Sequence, residues 1–363
     1  MPRRLLRNRH IAKGLGWTAH EPVGVRVMLG AAIGVAVPAA IGLLAGRPAI
    51  GFAVAMGATL FGGPEAAERS SEQGAGRRSL TEIFASALFV ALAPPIATLC
   101  TRWSWGDELA IAIVTMLAAV SGHSRPFAVA AMRFIVFLVM SMSIASQSVG
   151  NPGGVALLLG LGAIWGAIIR VGLRPAKASE PEPSAMATRN PTRPQRIMRL
   201  KRVLRTAEGW QYPIRLALAL GLSSIIRHVW PDQHFSWVLV TVALLVERQP
   251  EALPVKTTQR ALGVVVGVAL TGLVLAELRS PLAIAAVVCL LATLRPWLRA
   301  RNYLAYSAVM TPLVLLVMDL GTPIGGAVLI DRLIATLLGA AIVIAVNLLA
   351  VRFLVPKPIA SQT

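Results

Sequence analysis

The last apolar segment of the chain contains an acid next to a base, Asp331-Arg332, in a stretch that otherwise carries almost no charge. A charged side chain at mid-membrane costs about 3 kcal/mol unless it is paired or hydrated, so such residues are usually functional. The carboxylate could exchange protons with a ligand path, and the arginine could hold an anion. An inward-facing structural ion pair is an equally good interpretation, and it stays open at this point.

Four more candidates occupy matched positions in two similar halves of the chain. Arg26 and Arg215 each follow the expected start of a half's first helix by two or three residues. They either attract carboxylates at a shared axis or extend to lipid phosphates, as near-terminal arginines commonly do. Alignment of the third helices sets Glu82 opposite Arg260. Opposite charges at equivalent sites could form an ion pair or a gate between the halves.

Trp237 begins a short apolar segment close to other tryptophans of the expected outer loops. Tryptophan is common at membrane interfaces because its ring is amphipathic, so an anchoring belt is the simplest interpretation. A stacking surface for an aromatic ligand is the alternative. Trp237 completes the set of candidates for substrate binding or coupling.

The two halves share short motifs in the same order. Each has a Gly-Trp pair, an arginine, a Pro-Glu-Ala step and an Arg-Pro-aromatic step. These are Gly16-Trp17, Arg26, Pro64-Glu65-Ala66 and Arg125-Pro126-Phe127, and then Gly209-Trp210, Arg215, Pro250-Glu251-Ala252 and Arg295-Pro296-Trp297. Such self-similarity indicates a duplicated membrane half, and duplicated halves commonly enclose one central pathway.

The composition indicates that most of the chain lies in a lipid bilayer rather than in water. Apolar residues make up 56% and charged residues 14%, and the mean hydropathy is +0.69; a soluble domain has roughly a quarter of its residues charged. The apolar residues fall in blocks at 23–45, 49–63, 80–99, 108–121, 127–146 and 154–173, and at 212–229, 235–247, 257–277, 281–294, 303–319 and 326–352. We predict an all-α integral membrane protein with about 12 transmembrane helices as two parallel six-helix repeats, because six crossings return each half to its starting side.

The second and fourth blocks of each half are shorter than the roughly 20 residues that span a bilayer. Short segments at matched positions indicate a substrate path. Misplaced boundaries would give the same pattern, and the sequence leaves open whether these segments cross the bilayer.

The predicted domains are a first membrane half at 1–173 with a basic N-terminal interfacial segment, a basic linker at 174–208, a second half at 209–355 and a tail at 356–363. The linker and the tail are both expected in the cytoplasm. Within the linker, 193–208 spaces apolar residues at helical periodicity between arginines and lysines. That pattern is typical of a helix at the cytoplasmic interface. A solvated basic tail is the alternative.

The formal net charge is +19. With the N-terminus in the cytoplasm, most lysines and arginines fall on or next to cytoplasmic segments, as the positive-inside rule requires. The basic excess therefore indicates a topology with both termini cytoplasmic, and contact with anionic lipid headgroups. Nucleic acid is not an expected partner.

Motifs for enzymatic chemistry are missing from the sequence. The five histidines form no metal-binding pair on an apolar helix, and no Gly-x-Ser-x-Gly or Walker A run occurs. We expect no enzyme, no cofactor and no metal site. An ion gradient must then drive any transport, or the flow is passive.

The second half resembles the fusaric acid resistance-like domain of the aromatic acid exporter superfamily. The residues that carry this resemblance are Phe235-Ser236-Trp237, Thr241, Arg248-Gln249-Pro250, Arg260-Ala261-Leu262-Gly263 with Gly267, and Asp331-Arg332 with Thr336-Leu337-Leu338-Gly339. Val264 departs from the family's pattern, which has threonine there. The first half matches only in its hydrophobic layout and in Pro64-Glu65.

This resemblance implies a bacterial inner-membrane secondary transporter that exports aromatic carboxylic acids or related organic anions, driven by protons. The expected partners are a small organic anion, protons and anionic lipid, and a homo-oligomer is compatible with the sequence. A passive organic-anion channel is one alternative, since related plant members are anion channels. A non-transporting membrane component that recruits partners through the basic linker is another.

Overall fold

The computed structural model describes residues 17, 23–62, 80–145, 152–173, 193–230, 236–248, 253–319 and 325–354. Within these ranges the regular structure consists of α-helices and one short 3-10 helix at Ser121–His123. The prediction of an all-α protein is confirmed. The Pro-Glu-Ala steps, the N-terminal basic stretch, the proline-rich part of the linker and the tail from 355 onward lie outside the described residues.

The helices of the first half are α1 Val25–Leu44, α2 Pro48–Phe61, α3 Leu80–Ala91, α4 Ala93–Cys100, α5 Gly106–Val120, α6 Arg125–Ala145 and α7 Pro152–Gly172. The linker helix is α8 Arg193–Arg205. The second half has α9 Ala207–Val229, α10 Ser236–Leu245, α11 Leu253–Glu277, α12 Pro281–Arg301, α13 Tyr303–Asp319 and α14 Gly326–Leu354.

Seven described segments are long and apolar enough to cross a membrane. They are Val25–Leu44, Leu80–Cys100, Gly106–His123, Phe127–Ala145, Pro254–Glu277, Pro281–Arg301 and Gly326–Ala350. Shorter apolar helices lie at Pro48–Phe61, Ala156–Gly172 and Tyr303–Val317. The chain is therefore a multi-pass membrane protein.

Prolines explain the differences between the predicted segments and the helices. The segment 80–99 is divided at Leu92, because Pro94 occupies the start of a new helix, α4. The segment 281–294 is longer than expected, since α12 accommodates Pro296 and continues to Arg301. Helix α9 begins at Ala207, five residues before the position where the prediction placed its start, and it contains Pro213.

Glycines permit close helix packing in the second half. A Cβ at Gly263 would lie 2.6 Å from Ser307 Cβ, and one at Gly267 would lie 2.6 Å from Thr311 Cβ. The two glycines are four residues apart on α11, so this face rests directly on α13. Their absent side chains therefore set the distance between α11 and α13.

Among the described helices, four pairs make extensive contacts between the two halves. Helix α1 packs against α12, and α9 packs against α5. Helix α2 contacts α13, and α10 contacts α6. The first helix of each half thus meets the fourth segment of the other half, and the second helix meets the fifth.

The linker helix α8 rests on the end of the bundle. It contacts α9, α5 and the 3-10 helix, and Trp210 Nε1 donates to the carbonyl oxygen of Leu204 at 3.0 Å. Ile197 and Met198 on α8 are more than half exposed. The predicted helix in this part of the linker is confirmed, and its apolar side chains are not all covered by the protein.

Candidate functional site

Buried positive charge distinguishes the interior of this bundle. Among the described residues, the buried charged side chains are all arginines: Arg133, Arg215, Arg260, Arg295 and Arg332. Burying a cation in an apolar interior is costly unless an acceptor or an anion compensates it. The partners of each arginine therefore separate structural roles from ligand-binding ones.

Arg332 and Trp237 form the most enclosed of these sites. The Arg332 guanidinium carbon lies 3.9 Å from the centroid of the Trp237 ring, and the two residues are 3% and 1% exposed. Arg332 Nε and Nη1 have no hydrogen-bond acceptor among the described residues, and the same holds for Trp237 Nε1. The site thus presents several N–H donors in an apolar, water-poor environment.

Helix packing fixes the relative position of the two side chains. Arg332 lies near the start of α14 and Trp237 near the start of α10. A Cβ at Gly339 would lie 2.9 Å from the Cβ of Thr241, so α10 and α14 are in close contact about one turn after Trp237 and two turns after Arg332. The Thr241 hydroxyl is itself buried, with no hydrogen-bond partner among the described residues. It adds a fourth polar group to the same region.

Arg260 on α11 is the next cation. Its side chain is buried, and it is a like-charged neighbour of Arg332. The Tyr303 side chain is hydrogen-bonded to it. Two neighbouring guanidinium groups without an equally buried carboxylate among the described residues favour an anionic ligand. Asp331 is half-buried, and its proposed role in coupling stays a prediction.

Arg215 has a different environment. Its Nη1 donates to Asn347 Oδ1 at 2.9 Å, and its Nη2 donates to the carbonyl oxygens of Glu247 and Arg248, each at 3.1 Å. Arg215 therefore donates hydrogen bonds to backbone carbonyl oxygens at the C-terminal end of the short helix α10, which would otherwise have no partner within the helix. It lies nine residues into α9 rather than at its start. The geometry indicates a structural role.

Arg26 and Glu82 lie in exposed positions. Arg26 is the second residue of α1 and is exposed, which suits a side chain that extends towards headgroups. Glu82 is exposed in the first turn of α3, whereas Arg260 is buried in the second half. The two acid–base partners thus have unlike surroundings, and the gate between them stays a prediction.

A polar cluster between the halves was missed by sequence reasoning. Asp107, at the start of α5, accepts hydrogen bonds from Arg227 and, at 2.7 Å, from the Ser224 hydroxyl of α9. His228 Nδ1 lies 3.8 Å from the same carboxylate oxygen. The sequence features that could have indicated this cluster are the acidic first turn of α5 and the basic last turn of α9.

Two further arginines join the halves at helix ends. Arg248, just beyond α10, donates to the carbonyl oxygen of Ala118 at 3.1 Å and to the Ser121 hydroxyl. Arg295 on α12 donates to the carbonyl oxygen of Thr59 near the end of α2. Both therefore supply donors to carbonyl groups that a helix terminus leaves free.

A narrow cleft with room for about one water molecule lies between α5 and α6 of the first half and α9 and α10 of the second. Its walls are mainly apolar, with Val114, Met142 and Leu239 among them, and Asp107 and Arg227 lie at its rim. The cleft lies beside α10, the helix that also carries Trp237.

Metal chemistry has no support in the part of the chain that the structure describes, where no group of three or more His, Cys, Asp and Glu side chains could hold an ion. Trp103 and Trp105 are stacked at 5.1 Å and about half exposed. Trp230 is half exposed as well. These exposed rings fit an anchoring belt, whereas Trp237 is buried.

Comparison with known proteins agrees with the second-half resemblance. Residues 218–346 match the family model described as fusaric acid resistance protein-like. This range covers about a third of the chain and includes Trp237, Arg260 and Arg332. Neither the curated proteins nor the solved structures gave a match.

Proposed function

From the match of residues 218–346 to the family model described as fusaric acid resistance protein-like, we propose that the protein is a secondary transporter for aromatic carboxylic acids or related organic anions. It exports them across the bacterial inner membrane. The observation that carries the proposal is the buried Arg332 guanidinium stacked on Trp237, with N–H donors that no described residue accepts.

Arg332 and Trp237 together can bind both the carboxylate and the aromatic ring of such a ligand. A guanidinium can donate two parallel hydrogen bonds to a carboxylate. The indole of Trp237 offers an apolar surface for an aromatic body, and its Nε1 offers one more donor. Arg260, nearby, adds positive charge that lowers the cost of bringing an anion into the membrane interior.

Proton coupling is assigned to Asp331, the half-buried carboxyl group next to Arg332 in the chain. A group that binds a proton on one side and releases it on the other can tie proton entry to anion exit. The transporter proposed here is not an enzyme and needs no cofactor. Its energy source is the proton gradient.

The proposed architecture is twelve helices in two parallel six-helix repeats. The reciprocal contacts between the halves, first helix to fourth segment and second helix to fifth, support it, because two parallel repeats around a twofold axis would make such contacts in pairs. The second helix is short in both halves, with 14 residues in α2 and 10 in α10. Near the C-terminal end of each short helix, an arginine of another helix donates a hydrogen bond to a backbone carbonyl oxygen: Arg295 at α2 and Arg215 at α10.

The proposed orientation has both termini and the linker helix α8 in the cytoplasm. The distribution of lysines and arginines supports it. Arg199, Lys201, Arg202 and Arg205 are exposed on α8 beside exposed apolar side chains, which suits contact with anionic lipid headgroups. Several copies could assemble without changing this orientation.

The test is the accumulation of labelled aromatic acids in cells with and without the protein, repeated with a protonophore and with Asp331→Asn. Export predicts lower accumulation when the protein is present, and proton coupling predicts that both treatments reverse it. No change across a panel of acids, with the protein confirmed in the membrane, contradicts the substrate class.

Two alternatives give different outcomes in the same experiment. A passive anion channel would lower accumulation without sensitivity to the protonophore. A component that recruits partners through its basic linker would lose function on deletion of 176–196. The proposed transporter keeps most of its activity after that deletion.

A further inference from the structure

Three elements meet at the end of the bundle where the two halves join. They are the linker helix α8, the 3-10 helix of the first half and α9 of the second half. A Cβ at Gly122 of the 3-10 helix would lie 3.2 Å from a methyl group of Val203 on α8 and 3.3 Å from Nη1 of Arg248. The linker helix therefore rests on the same point at which Arg248 binds the first half.

A short joint fixes α8 to α9. The Thr206 hydroxyl accepts a hydrogen bond from the Gly209 backbone N–H and caps α9. Trp210 Nε1 donates to the Leu204 carbonyl oxygen at 3.0 Å. A Cβ at Gly209 would lie 1.9 Å from the Val203 carbonyl oxygen, so the turn has no room for a side chain there. The joint therefore ties any movement of α8 to α9.

The protein covers only part of the apolar stripe of α8. Leu200 and Val203 are half-buried, whereas Ile197 and Leu204 are exposed and continue the same stripe by the 3.6-residue helical period. Six of the 13 residues of α8 are lysine or arginine, and none is acidic. The open edge of the stripe suits a second apolar surface, and the cations beside it suit anions. A bilayer with anionic headgroups offers both.

The N-terminal side of the first half makes a similar crossed contact. The ring centroid of Trp17, ahead of α1, lies 5.6 Å from that of Trp297 on α12, and the Arg301 guanidinium lies 4.8 Å from the Trp297 ring centroid. The residues ahead of each half's first helix thus contact the end of the other half's fourth segment. Crossed contacts of this kind hold the two halves together at one end of the bundle.

From these contacts we propose that α8 is a clamp between the halves whose closure depends on anionic lipid. Phospholipid headgroups bind the cations of α8, and the bilayer covers Ile197 and Leu204. The helix is then held on Gly122 beside Arg248. In neutral lipid only the packing at Gly122 holds it, so this end of the bundle opens more readily. The inference rests on the cytoplasmic placement of α8 in the proposed function, and it does not depend on the substrate.

A disulfide reports whether the clamp is closed. Cys100 and Cys289 are replaced by serine, and Gly122→Cys is combined with Val203→Cys, at two positions that lie in contact. The purified protein is placed in vesicles of phosphatidylcholine, with or without an equal part of phosphatidylglycerol, and is oxidised with a copper–phenanthroline complex. We expect the disulfide to form about fivefold faster in the anionic vesicles, and high salt to remove the difference.

The exposed cations of α8 provide a variant that separates lipid charge from other effects. The substitutions are Arg199→Gln, Lys201→Gln, Arg202→Gln and Arg205→Gln. Together they should make the rate of disulfide formation independent of the anionic lipid. The matched control removes exposed arginines elsewhere, with Arg47→Gln, Arg102→Gln and Arg279→Gln. This control should keep the full response to phosphatidylglycerol.

Hydrogen–deuterium exchange of the unmodified protein leaves the tight contact at Gly122 intact. Anionic lipid should slow exchange in α8 and also in residues 118–124 of the first half. Slower exchange in α8 alone overturns the clamp, because the helix then binds lipid without holding the halves together.

Two further results would overturn the dependence on lipid. One is a rate of disulfide formation that is equal in both kinds of vesicle, which leaves the exposed face of α8 to a soluble partner. The other is an equal acceleration by inorganic phosphate added to neutral vesicles. A clamp that follows lipid charge in a protein that moves no aromatic acid would reject the proposed substrate class and support the clamp.

Discussion

The Arg332 guanidinium lies 3.9 Å from the ring centroid of Trp237, with both side chains buried. They come from positions 95 residues apart in the sequence, on α14 and α10. The stacking leaves Arg332 Nε and Nη1 without an acceptor among the described residues. An aromatic face and free N–H donors therefore occur together, which is the basis of the proposed recognition of an aromatic anion.

Replacing Arg332 by lysine should impair transport although the charge is kept. Lysine lacks the planar fork that stacks on indole and binds a carboxylate through two hydrogen bonds. A desolvated cation–π contact contributes about 1–2 kcal/mol, which corresponds to roughly a tenfold change. We expect initial transport rates to fall about tenfold at low substrate concentration.

The matched control is Arg279→Lys, because Arg279 is exposed in the loop between α11 and α12. Its transport rate should stay within twofold of the unmodified protein. An Arg332→Lys protein as active as this control would show that stacking and bidentate binding do not contribute.

Arg215→Ala should destabilise the protein, since it removes the donor to Asn347 and to the last carbonyl groups after α10. Leaving buried acceptors unpaired costs about 2–4 kcal/mol in total. The melting temperature of the purified protein in detergent should fall by several degrees.

Arg26→Ala provides the comparison, because Arg26 is exposed at the start of α1. Its melting temperature should be unchanged. If the two substitutions lower the melting temperature equally, Arg215 is not the structural cap that its hydrogen bonds indicate.

Gly263→Ala should weaken the packing of α11 on α13. The added Cβ would lie 2.6 Å from Ser307 Cβ and 2.7 Å from the Leu304 carbonyl oxygen, so the helices must move apart. Overpacking of this kind costs about 1–3 kcal/mol. Thermal unfolding in detergent measures the effect.

Gly221→Ala on α9 is the control, because a Cβ there meets no atom within 4 Å. Alanine favours a helix over glycine by up to about 1 kcal/mol. We therefore expect a neutral or slightly stabilised protein. Equal destabilisation by both alanines would rule out a specific contact at Gly263.

The linker helix α8 should place Ile197 in lipid and Arg202 in water. Ile197 is 54% exposed, and the two residues lie on opposite sides of the helix by its 3.6-residue period. Spin labels at Ile197→Cys and Arg202→Cys, in vesicles with anionic lipid, report collision with oxygen or with a water-soluble nickel chelate. Oxygen should dominate at 197 and the chelate at 202; equal profiles would indicate a solvated helix.

The general architecture follows from composition and periodicity alone. Long apolar blocks predicted the membrane class and the helices, since backbone groups in lipid must be satisfied within each segment. Helix ends were less predictable. The predicted segments began at 212 and ended at 294, next to Pro213 and Pro296, but both prolines lie inside helices.

The sequence also identified the members of the candidate site but not their contacts. Arg332 and Trp237 were each selected for residue type, whereas their stacking depends on the close packing of α10 and α14 at Gly339. Asp107 and Arg227 were overlooked because each resembles an ordinary helix-end charge. Only the packing of α5 against α9 brings this pair together.

Uptake into vesicles containing the purified protein tests the central claim most directly. A labelled aromatic carboxylate is compared with its neutral carboxamide, for the unmodified protein and for Arg332→Gln, with protein-free vesicles as the background. We predict protein-dependent movement of the carboxylate alone, and its loss in Arg332→Gln while the variant keeps its fold and membrane insertion. Equal movement of the carboxylate and the carboxamide, or full activity of Arg332→Gln, would contradict anion recognition at the Arg332–Trp237 site.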